Sequence, residues 1–380
     1  MLEDIRVIEL GTVITAPLAA MLLGDMGAEV IKVERPGGDP LRNSHGGAYD
    51  ATYLAYNRNK SSVVLDLAAA ADREIMRRLI ADADVFIDNL RPGGLEKLDL
   101  GAATLRADNP RLVHCSISGF GSVGPSRDRP AYDTVALALS GIASLLVDPE
   151  KPESFGPTIS DNVTGLYAAN AILAALVERA RTGSGRRIEV NMLHASMAFI
   201  GDAFTRVTAA NLVPDRFTRA ASSQSCVLRC ADGLLLAIHT SMREKFWRAL
   251  AAAADVPEML TDPRFATHVD RARNYLRFRE LLGAAIGRRN RQEWMQRLEA
   301  AGVPFAPIHD CAQALADPQA VALGVLGEAV HPSQGVVRTI RSPVVLDGAP
   351  LKPFRAPPVL DEDGVAVRAR MTQRHDSPQK

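Results

Sequence analysis

Arg6-Val-Ile-Glu-Leu10 and Glu29-Val-Ile-Lys-Val33 are short, mostly apolar runs of the kind that form buried strands. Residues 16–23 lie between them, are apolar on all sides and predict a buried helix. Gly24-Asp-Met-Gly27 supplies the turn into the second strand. The chain therefore opens with a strand, a helix and a second strand, which is the building unit of a parallel sheet.

The same alternation continues along the chain. Strands are predicted at residues 62–65, 85–87 and 112–117, and helices at residues 72–81 and 101–107. Strands that alternate with helices form a mainly parallel sheet with helices on both faces. We therefore expect an α/β fold with a doubly wound, mainly parallel sheet in a large domain.

Composition excludes several classes of protein. The 380 residues are 47% hydrophobic, which is too apolar for a disordered or fibrous chain. The 44 Lys and Arg balance the 44 Asp and Glu, so the overall attraction to nucleic acid or an anionic membrane is missing. No apolar run is long enough to span a bilayer, and the start MLEDIRV does not resemble a signal peptide. We expect a soluble, cytoplasmic protein.

Cysteine and histidine give no sign of a metal site. The two nearest cysteines, Cys226 and Cys230, have no partner pair, and the eight histidines are scattered without H-x3-H or H-E-x-x-H spacing. Four cysteines are also too few for a disulfide scaffold in a chain of this length. We expect neither a bound metal nor disulfides.

The second half of the chain predicts a second domain. A long Ala- and Leu-rich helix is expected over residues 162–181, ended by Thr182-Gly-Ser-Gly185, and a strand follows at 187–190. The large domain is assigned to residues 1–212 and a linker to 213–224. A smaller α+β domain, 225–319, opens with two strands around Ala231-Asp-Gly233.

The first strand does not continue into a dinucleotide-binding motif. It is followed by Gly11-Thr-Val-Ile-Thr-Ala-Pro17, with one of the three glycines of G-x-G-x-x-G, and no P-loop is present. Arg35 instead follows the second strand, where a guanidinium suits a phosphate; taken alone, it could equally pair with a surface acid. Residues 57–60 and 88–94 bring further amides and cations to the same edge. Together the loops indicate a ligand with several phosphates and an adenine.

Seven motifs occur in order over roughly residues 5 to 200. They are Val7-Ile-Glu-Leu10 with Ala16-Pro17, Leu23-Gly-Asp-Met-Gly-Ala-Glu-Val-Ile-Lys-Val-Glu34, Asn59-Lys-Ser-Ser-Val-Val-Leu-Asp-Leu67, Asp88-Asn-Leu-Arg-Pro-Gly93, Ser118-Gly-Phe-Gly121 with Gly124-Pro125, Tyr132-Asp133 with Ser140-Gly141, and Asp161 ahead of Thr164-Gly165. In this combination they resemble the class III coenzyme A transferases, the CaiB/BaiF family.

The resemblance implies a Rossmann-like large domain completed by residues 320–380, and an interlocked homodimer. It also implies coenzyme A (CoA) or acyl-CoA as a substrate, with no permanently bound cofactor, and a carboxylic acid as acceptor. The implied positions are Val13 and Ile14 at the pantetheine, Arg35 at the phosphates, Leu65, Asp66, Leu67, Asn89, Leu90 and Arg91 at the adenine and ribose, Lys97, Tyr132 and Asp133 at further CoA contacts, and Asp161 as nucleophile.

A carboxylate is the residue type that CoA transfer requires, because its attack on a thioester gives a mixed anhydride and then an enzyme–CoA thioester that keep the energy of the bond. Asp161 is expected just before a long helix, whose N–H groups and dipole favour the ionised form. The alternative is an ordinary helix N-cap. Asn162 or Thr164 could take the capping role instead.

Several residues depart from the family's pattern, and these departures disfavour some of the activities that the family contains. Tyr132 stands where racemases of this fold carry a proton-transferring His, and Ile14 and Pro130 replace the Gln and Lys of oxalate-handling members. Ile238-His-Thr-Ser-Met242 lacks the family's glycine-rich flap, although His239, Thr240 and Ser241 could face an acceptor acid. The hypotheses are an acyl-CoA:carboxylate CoA-transferase, a 2-methylacyl-CoA racemase or isomerase, and a non-catalytic acyl-CoA-binding paralogue.

Overall fold

The computed structural model describes residues 1–43, 46, 49–154 and 156–373. The strands are β1 Arg6–Leu10, β2 Glu29–Glu34, β3 Lys60–Val64, β4 Val85–Asp88, β5 Val113–Ser118, β6 Arg187–Asn191, β7 Ser225–Arg229, β8 Leu235–His239, β9 Phe305–Pro307, β10 Leu326–His331, β11 Gly335–Ile340, β12 Val345–Leu346 and β13 Ala349–Pro350. In the described part of the chain, no helix is both long and apolar enough to cross a bilayer.

Seventeen α-helices occur among the described residues. They are α1 Thr15–Asp25, α2 Ala51–Tyr56, α3 Ala70–Ala81, α4 Ala102–Asp108, α5 Asp133–Leu139, α6 Ile159–Thr182, α7 Met192–Phe199, α8 Gly201–Ala210, α9 Thr218–Ser223, α10 Glu244–Ala254, α11 Glu258–Thr261, α12 His268–Arg273, α13 Tyr275–Ile286, α14 Arg291–Ala300, α15 Cys311–Ala316, α16 Pro318–Leu323 and α17 Gly364–Gln373. Short 3₁₀ helices lie at Pro40–Arg42, Glu96–Leu98, Ala143–Leu145 and Pro263–Phe265.

The chain divides into two compact units. Residues 1–143, 156–201 and 319–380 form the first unit, and residues 144–155 and 202–318 form the second. The segment 213–224, expected to be an irregular linker, contains the short helix α9.

The first unit contains a six-stranded sheet with the order β3-β2-β1-β4-β5-β6, in which every neighbouring pair is parallel. This confirms the doubly wound α/β fold. The chain builds outward from β1 through β2 to β3, and then crosses to β4 on the other side of β1. The carboxyl ends of β1 and β4 therefore flank the point where the strand order reverses, which is where open α/β sheets bind ligands.

Side chains of each strand alternate between two cores, one on each face of the sheet. Val7 packs in a core with α1 and α6, whereas its neighbour Ile8 packs on the other face with α3 and α4. Both faces are thus covered, and the central strands β1, β2 and β4 are buried along most of their length.

The C-terminal segment covers the free edge of β3. The carboxylate of Asp363 accepts a hydrogen bond from the backbone N–H of Ser62 (2.9 Å), and that of Asp361 accepts one from Val64 (2.7 Å). Arg368 donates to the carbonyl of Val64 (2.8 Å). Side chains therefore satisfy the backbone groups that an unpaired edge strand exposes.

The second unit has its own core. Strands β7, β8 and β9 form a three-stranded antiparallel sheet, and the first two join through the predicted turn around Asp232 and Gly233. Its core contains buried aromatic side chains from α10, α13 and α14, among them Trp247, Phe278 and Trp294.

Helices α1 and α6 cross closely at Gly165. A Cβ atom on this residue would lie 2.9 Å from the carbonyl oxygen of Thr15 and 2.9 Å from a methyl carbon of Leu18. Backbone cannot give way as a flexible side chain can. The absence of a side chain at Gly165 therefore allows the beginning of α6 to lie against the beginning of α1.

Gly165→Ala should lower the free energy of unfolding by about 1–3 kcal/mol through overpacking, and the melting temperature by several degrees. Gly283→Ala in α13 is the matched control, because the added Cβ would meet its nearest neighbour, Leu228, at an ordinary 3.6 Å. The control should be neutral or slightly stabilising, since alanine favours a helix. Equal melting temperatures in the two variants, measured by calorimetry, would contradict the close crossing.

Candidate active site

A cavity of about 330 Å³ lies at the carboxyl edge of the parallel sheet. Its lining comes from the loops after β1, β4 and β5, and from the first turns of α1 and α6. Seven of the predicted site residues line it together: Val13, Ile14, Asn89, Leu90, Arg91, Tyr132 and Asp161. The cavity therefore occupies the predicted ligand position at the strand-order reversal.

Asp161 lies inside helix α6 rather than before it, because the helix begins at Ile159. The N-cap residue, Thr158, makes no side-chain capping bond. Asn162 and Thr164 do not cap either: Asn162 donates to the carbonyl of Thr158 (2.6 Å), and Thr164 donates to that of Ser160 (2.6 Å). The capping alternatives considered from the sequence are therefore wrong.

A second carboxylate fixes the backbone of Asp161. The N–H of Asp161 donates to the carboxylate of Asp133, at the start of α5, over 3.1 Å. Ser160 accepts a hydrogen bond from the hydroxyl of Ser196 in α7 (2.8 Å). The first turn of α6 is thus held by α5 and α7, and these contacts begin the helix earlier than the sequence signals predict.

The carboxylate of Asp161 is poorly solvated and unpaired. The residue is 8% exposed, and no described residue donates a hydrogen bond to its side-chain oxygens. Burial, and secondly the negative charge of Asp133, raise the pKa of Asp161 to about 7. Burial also raises the pKa of Asp133. The shift is opposite to the expectation that the helix N-terminus favours the ionised form, because loss of solvation and the charge of Asp133 both disfavour the anion.

Three of the predicted CoA-binding cations are exposed at the same edge of the sheet. Arg35 directly follows β2 and donates to the carbonyl of Gly38 (3.2 Å). Arg91 follows β4, and Lys97 lies in the next 3₁₀ helix. None of the three forms an ion pair with a carboxylate of the described chain. Unpaired cations at strand ends suit a phosphorylated ligand.

The remaining predicted CoA contacts, on the segment after β3, differ in their exposure to solvent. Leu65 is buried in the core, whereas Asp66 is exposed and accepts a hydrogen bond from the N–H of Ala68 (3.0 Å). Leu67 packs partly against the same core as Leu65. Arg35, Leu65, Asp66, Leu67 and Lys97 are not part of the cavity lining at Asp161.

The side chain of Asn89, assigned to the adenine and ribose, is occupied by the protein itself. Its amide oxygen accepts from the N–H of Thr12 (3.1 Å), and its NH₂ group donates to the carbonyl of Thr12 (2.8 Å) and the hydroxyl of Thr15 (3.1 Å). Asn89 therefore ties the loop after β1 to the end of β4.

The predicted acceptor residues lie in the second unit. His239 ends β8 and lines a cavity of about 600 Å³ with residues of α9, α13 and the small sheet. Thr240 is fully buried and its hydroxyl donates to the carbonyl of Gln224 (3.2 Å). Ser241 has a left-handed backbone with φ of 54°. Of the two hydroxyl side chains, Thr240 and Ser241, only that of Thr240 forms a hydrogen bond with a described residue.

Sequence reasoning missed two sets of residues. Arg127 and Arg129 line the cavity of Asp161 from the loop after β5, where no periodic pattern distinguishes them. A group of buried charges lies beside the loop after β1, and the signal for it was a charged residue inside an apolar strand, as in Glu9 and Lys32. Among the described residues no cluster of metal-ligating side chains occurs, and all four cysteines are free.

Comparison with known proteins places the chain in a family. The family model described as CoA-transferase family III matches residues 2–364. The chain belongs to CoA-transferase family III. The resemblance to the class III enzymes is thereby confirmed, and the protein is a CoA-transferase.

Individual relatives agree with this assignment. The chain is 33% identical to a succinate–glutarate CoA-transferase of Agrobacterium fabrum, over 97% of this chain and 95% of the relative. It is 33% identical to an acetyl-CoA:oxalate CoA-transferase of Acetobacter aceti, over 96% and 94%. A crystal structure of a CaiB/BaiF family protein from Brucella suis superposes with a TM-score of 0.84, at 34% identity, over 97% of this chain and 98% of that one.

The raised pKa of Asp161 makes the stability of this CoA-transferase depend on pH. Between the ordinary pKa of 3.8 and the folded value of about 7, the folded chain holds a proton that the unfolded chain has lost. Stability therefore falls as the pH rises through this window. Asp161→Asn removes the penalty and should raise the melting temperature clearly at pH 8 and less at pH 5.

Asp202→Asn is the control, because Asp202 is an exposed carboxylate in the first turn of α8. It should give nearly the same small change at both pH values. An Asp161→Asn variant whose gain in melting temperature is equal at pH 5 and pH 8 would show that Asp161 has an ordinary pKa.

Proposed function

We propose that this enzyme moves CoA from an acyl-CoA thioester to a carboxylic acid, with Asp161 as the nucleophile. The observation that carries the proposal is a poorly solvated carboxylate without hydrogen-bond donors in a cavity at the strand-order reversal. A carboxylate without hydrogen-bond donors is a stronger nucleophile than a solvated one, because neither water nor protein donors stabilise its negative charge.

The reaction balances without any oxidant or reductant. The carboxylate of Asp161 attacks the carbonyl carbon of the donor thioester, the C–S bond breaks, and a mixed anhydride and CoA thiolate form. The thiolate then attacks the Asp161 carbonyl, which releases the donor acid and leaves an aspartyl–CoA thioester. The acceptor carboxylate attacks that thioester, the C–S bond breaks, and a second mixed anhydride and CoA thiolate form. The thiolate then attacks the acceptor carbonyl of this anhydride, which gives the acceptor acyl-CoA and releases the carboxylate of Asp161.

The chain offers distinct groups for the parts of CoA. Arg35, Arg91 and Lys97 are the cations available to the phosphates at the carboxyl edge of β2 and β4. Val13 and Ile14 line the cavity that contains Asp161 and would contact the pantetheine arm. CoA is in this proposal a substrate that enters and leaves, rather than a resident cofactor.

Relatives suggest which acids to test as acceptors. Two of them are named for glutarate and oxalate, which are dicarboxylic acids. Arg127 and Arg129 line the cavity of Asp161 and could attract a second carboxylate, while Ile14 presents an apolar surface. We therefore propose a dicarboxylic acid with an apolar chain, longer than oxalate, as acceptor, and succinyl-CoA as the first donor to test.

The same family resemblance implies a homodimer. Helix α6 exposes large apolar side chains, among them Leu166 (55% exposed) and Val177 (64% exposed). Apolar groups exposed on one long helix are typical of a surface that a second chain covers, so we include a homodimer in the proposal.

One observation favours a second activity. A carboxyl group with a pKa of about 7, such as Asp161, is also suited to proton transfer, as a racemase or isomerase of acyl-CoA thioesters requires. That enzyme would exchange the α-proton of the acyl group with deuterated water in the absence of any acceptor acid. The transferase would not.

Incubation with succinyl-CoA or acetyl-CoA, followed by hydroxylamine or borohydride, should trap an activated carboxylate on the peptide that contains Asp161. Peptide mass spectrometry measures the modification. Asp161→Asn should lose the adduct and lower CoA exchange by at least about 1,000-fold, because the nucleophile is removed. It should still bind CoA.

Two outcomes would contradict the proposal. Near-full exchange activity in Asp161→Ala would show that another group is the nucleophile. Tight CoA binding without an adduct from any donor, including branched and aromatic acyl-CoAs, would favour the binding-only paralogue, or the racemase if deuterium enters the α-position.

Arg35→Ala should raise the Kd for CoA about 10-fold or more, because a charge-assisted contact to phosphate is lost. Calorimetric titration with CoA measures the change. Arg106→Ala is the matched control, since Arg106 is an exposed arginine on α4, away from the carboxyl edge of the sheet. An equal Kd for both variants would remove Arg35 from the phosphate site.

A further inference from the structure

Val13 has a backbone conformation that its side chain disfavours. Its φ is 68°, in the left-handed region, where β-branched residues are rare because the side chain clashes with the backbone. It is the one β-branched residue in this region among the described residues. The other non-glycine residues there are Asn59, Asp99, Asn211, Gln224, Ser241, Asp255, Asp347 and Asp361.

Two side chains hold the loop around Val13 from different strands. The carboxylate of Asp39, which follows β2, accepts a hydrogen bond from the N–H of Val13 (3.3 Å). Asn89, which follows β4, holds both the N–H and the carbonyl of the preceding residue, Thr12. The strained residue thus has hydrogen-bonded supports at its own N–H and at its neighbour.

Asp39 is held in turn by a buried lysine. Lys32 has no exposed surface, and its ammonium lies 3.4 Å from the carboxylate of Asp39 and 2.7 Å from that of Glu9. The same ammonium donates to the carbonyl of Gly11 (2.7 Å), which belongs to the loop. The N–H of Asp39 donates to the carboxylate of Glu34 (3.0 Å).

Burying these charges is costly, and hydrophobic residues often give equal or greater stability in such positions. Stability alone is therefore a poor reason for a charged cluster at this place. The cluster contacts the loop backbone at Gly11 and Val13, and the next residues line the cavity of Asp161. Its position fits a role in setting the shape of that cavity.

From this geometry we infer that Asp39, held by Lys32, is a positioning residue that keeps Val13 left-handed and so fixes the part of the cavity lining that the loop after β1 forms. The inference rests on the proposed function for its catalytic readout. Asp39 does not line the cavity, and none of the hydrogen bonds and ion pairs of the described residues joins it to Asp161. Its effect on transfer must therefore pass through the loop.

A double-mutant cycle separates this role from general stability. Asp39→Ala should lower kcat/KM for acyl-CoA roughly 10- to 100-fold, because the cavity lining is displaced. Asp39→Asn, which keeps an oxygen for Val13, should lose less. Val13→Gly removes the backbone conflict, since glycine adopts this φ freely. In the Val13→Gly background, Asp39→Ala should lower kcat/KM less than about threefold.

Asp25→Ala is the matched control. Asp25 forms a buried ion pair with Arg58 at the opposite end of α1, so its loss should lower the melting temperature while kcat/KM stays within about threefold of the parent. If Asp39→Ala lowers kcat/KM by the same factor in the parent and in the Val13→Gly background, the inference is wrong. If Asp39→Ala and Asp39→Asn retain full activity, it is wrong as well.

Hydrogen–deuterium exchange tests the support of the loop without catalysis. The peptide covering residues 11–16 should exchange faster in Asp39→Ala than in the parent, and Asp25→Ala should leave the exchange of that peptide unchanged. Asn89→Ala, which removes the second support, should increase the exchange rate of the same peptide. This variant provides the test if Asp39→Ala does not fold. Unchanged exchange in the Asp39 and Asn89 variants overturns the inference. If the unsubstituted protein transfers no CoA, the proposed function is wrong. The exchange measurement still tests the inference, because it does not depend on catalysis.

Discussion

The ion pair between Glu9 and Lys32 is the interaction on which the carboxyl edge of the sheet depends. The two residues are register partners in the parallel pair β1 and β2, and both are fully buried. Burial alone would raise the pKa of Glu9, but Lys32 and Lys60 outweigh it and hold the pKa below its usual value. A shift of either strand by one residue would leave a buried charge without its partner, so the pair specifies the register.

Two parts of the cavity lining differ in whether their buried charges are compensated. Around the loop after β1, the buried charges of Glu9, Lys32, Asp39 and Lys60 each have a partner of opposite sign, and hydrogen bonds hold the backbone of the loop. At the first turn of α6, two carboxylates, Asp133 and Asp161, are brought together without a cation, and both have raised pKa values. The first arrangement gives a rigid surface, and the second gives a group whose charge is not compensated. Rigidity beside an uncompensated charge is typical of a catalytic site.

Sequence patterns predicted those features that depend on neighbouring residues. The apolar runs placed β4 at residues 85–87, and the strand is Val85–Asp88. The long helix was expected from residue 162, but it begins at Ile159 because Ser160 bonds with Ser196, which lies 36 residues later. The raised pKa of Asp161 was missed for the same reason, since it comes from burial in the folded chain and from Asp133, which lies 28 residues earlier. Contacts between distant segments leave no local pattern, whereas the charged residues inside β1 and β2 were visible and their pairing was not inferred.

In the proposed mechanism, the burial that increases the reactivity of the Asp161 carboxylate also opposes its ionisation, and both effects have one cause. Removing water from a carboxylate raises its pKa and, once it is ionised, leaves its charge less stabilised. With a pKa of about 7, roughly half of the molecules carry the charged form at neutral pH, so the loss in ionised fraction is only about twofold. A fully solvated carboxylate would be ionised completely but less nucleophilic. A moderate shift is therefore compatible with nucleophilic attack, whereas a shift of several further units would leave too few ionised molecules at neutral pH. Burial, to which the like charge of Asp133 adds, brings the pKa to a value within that limit.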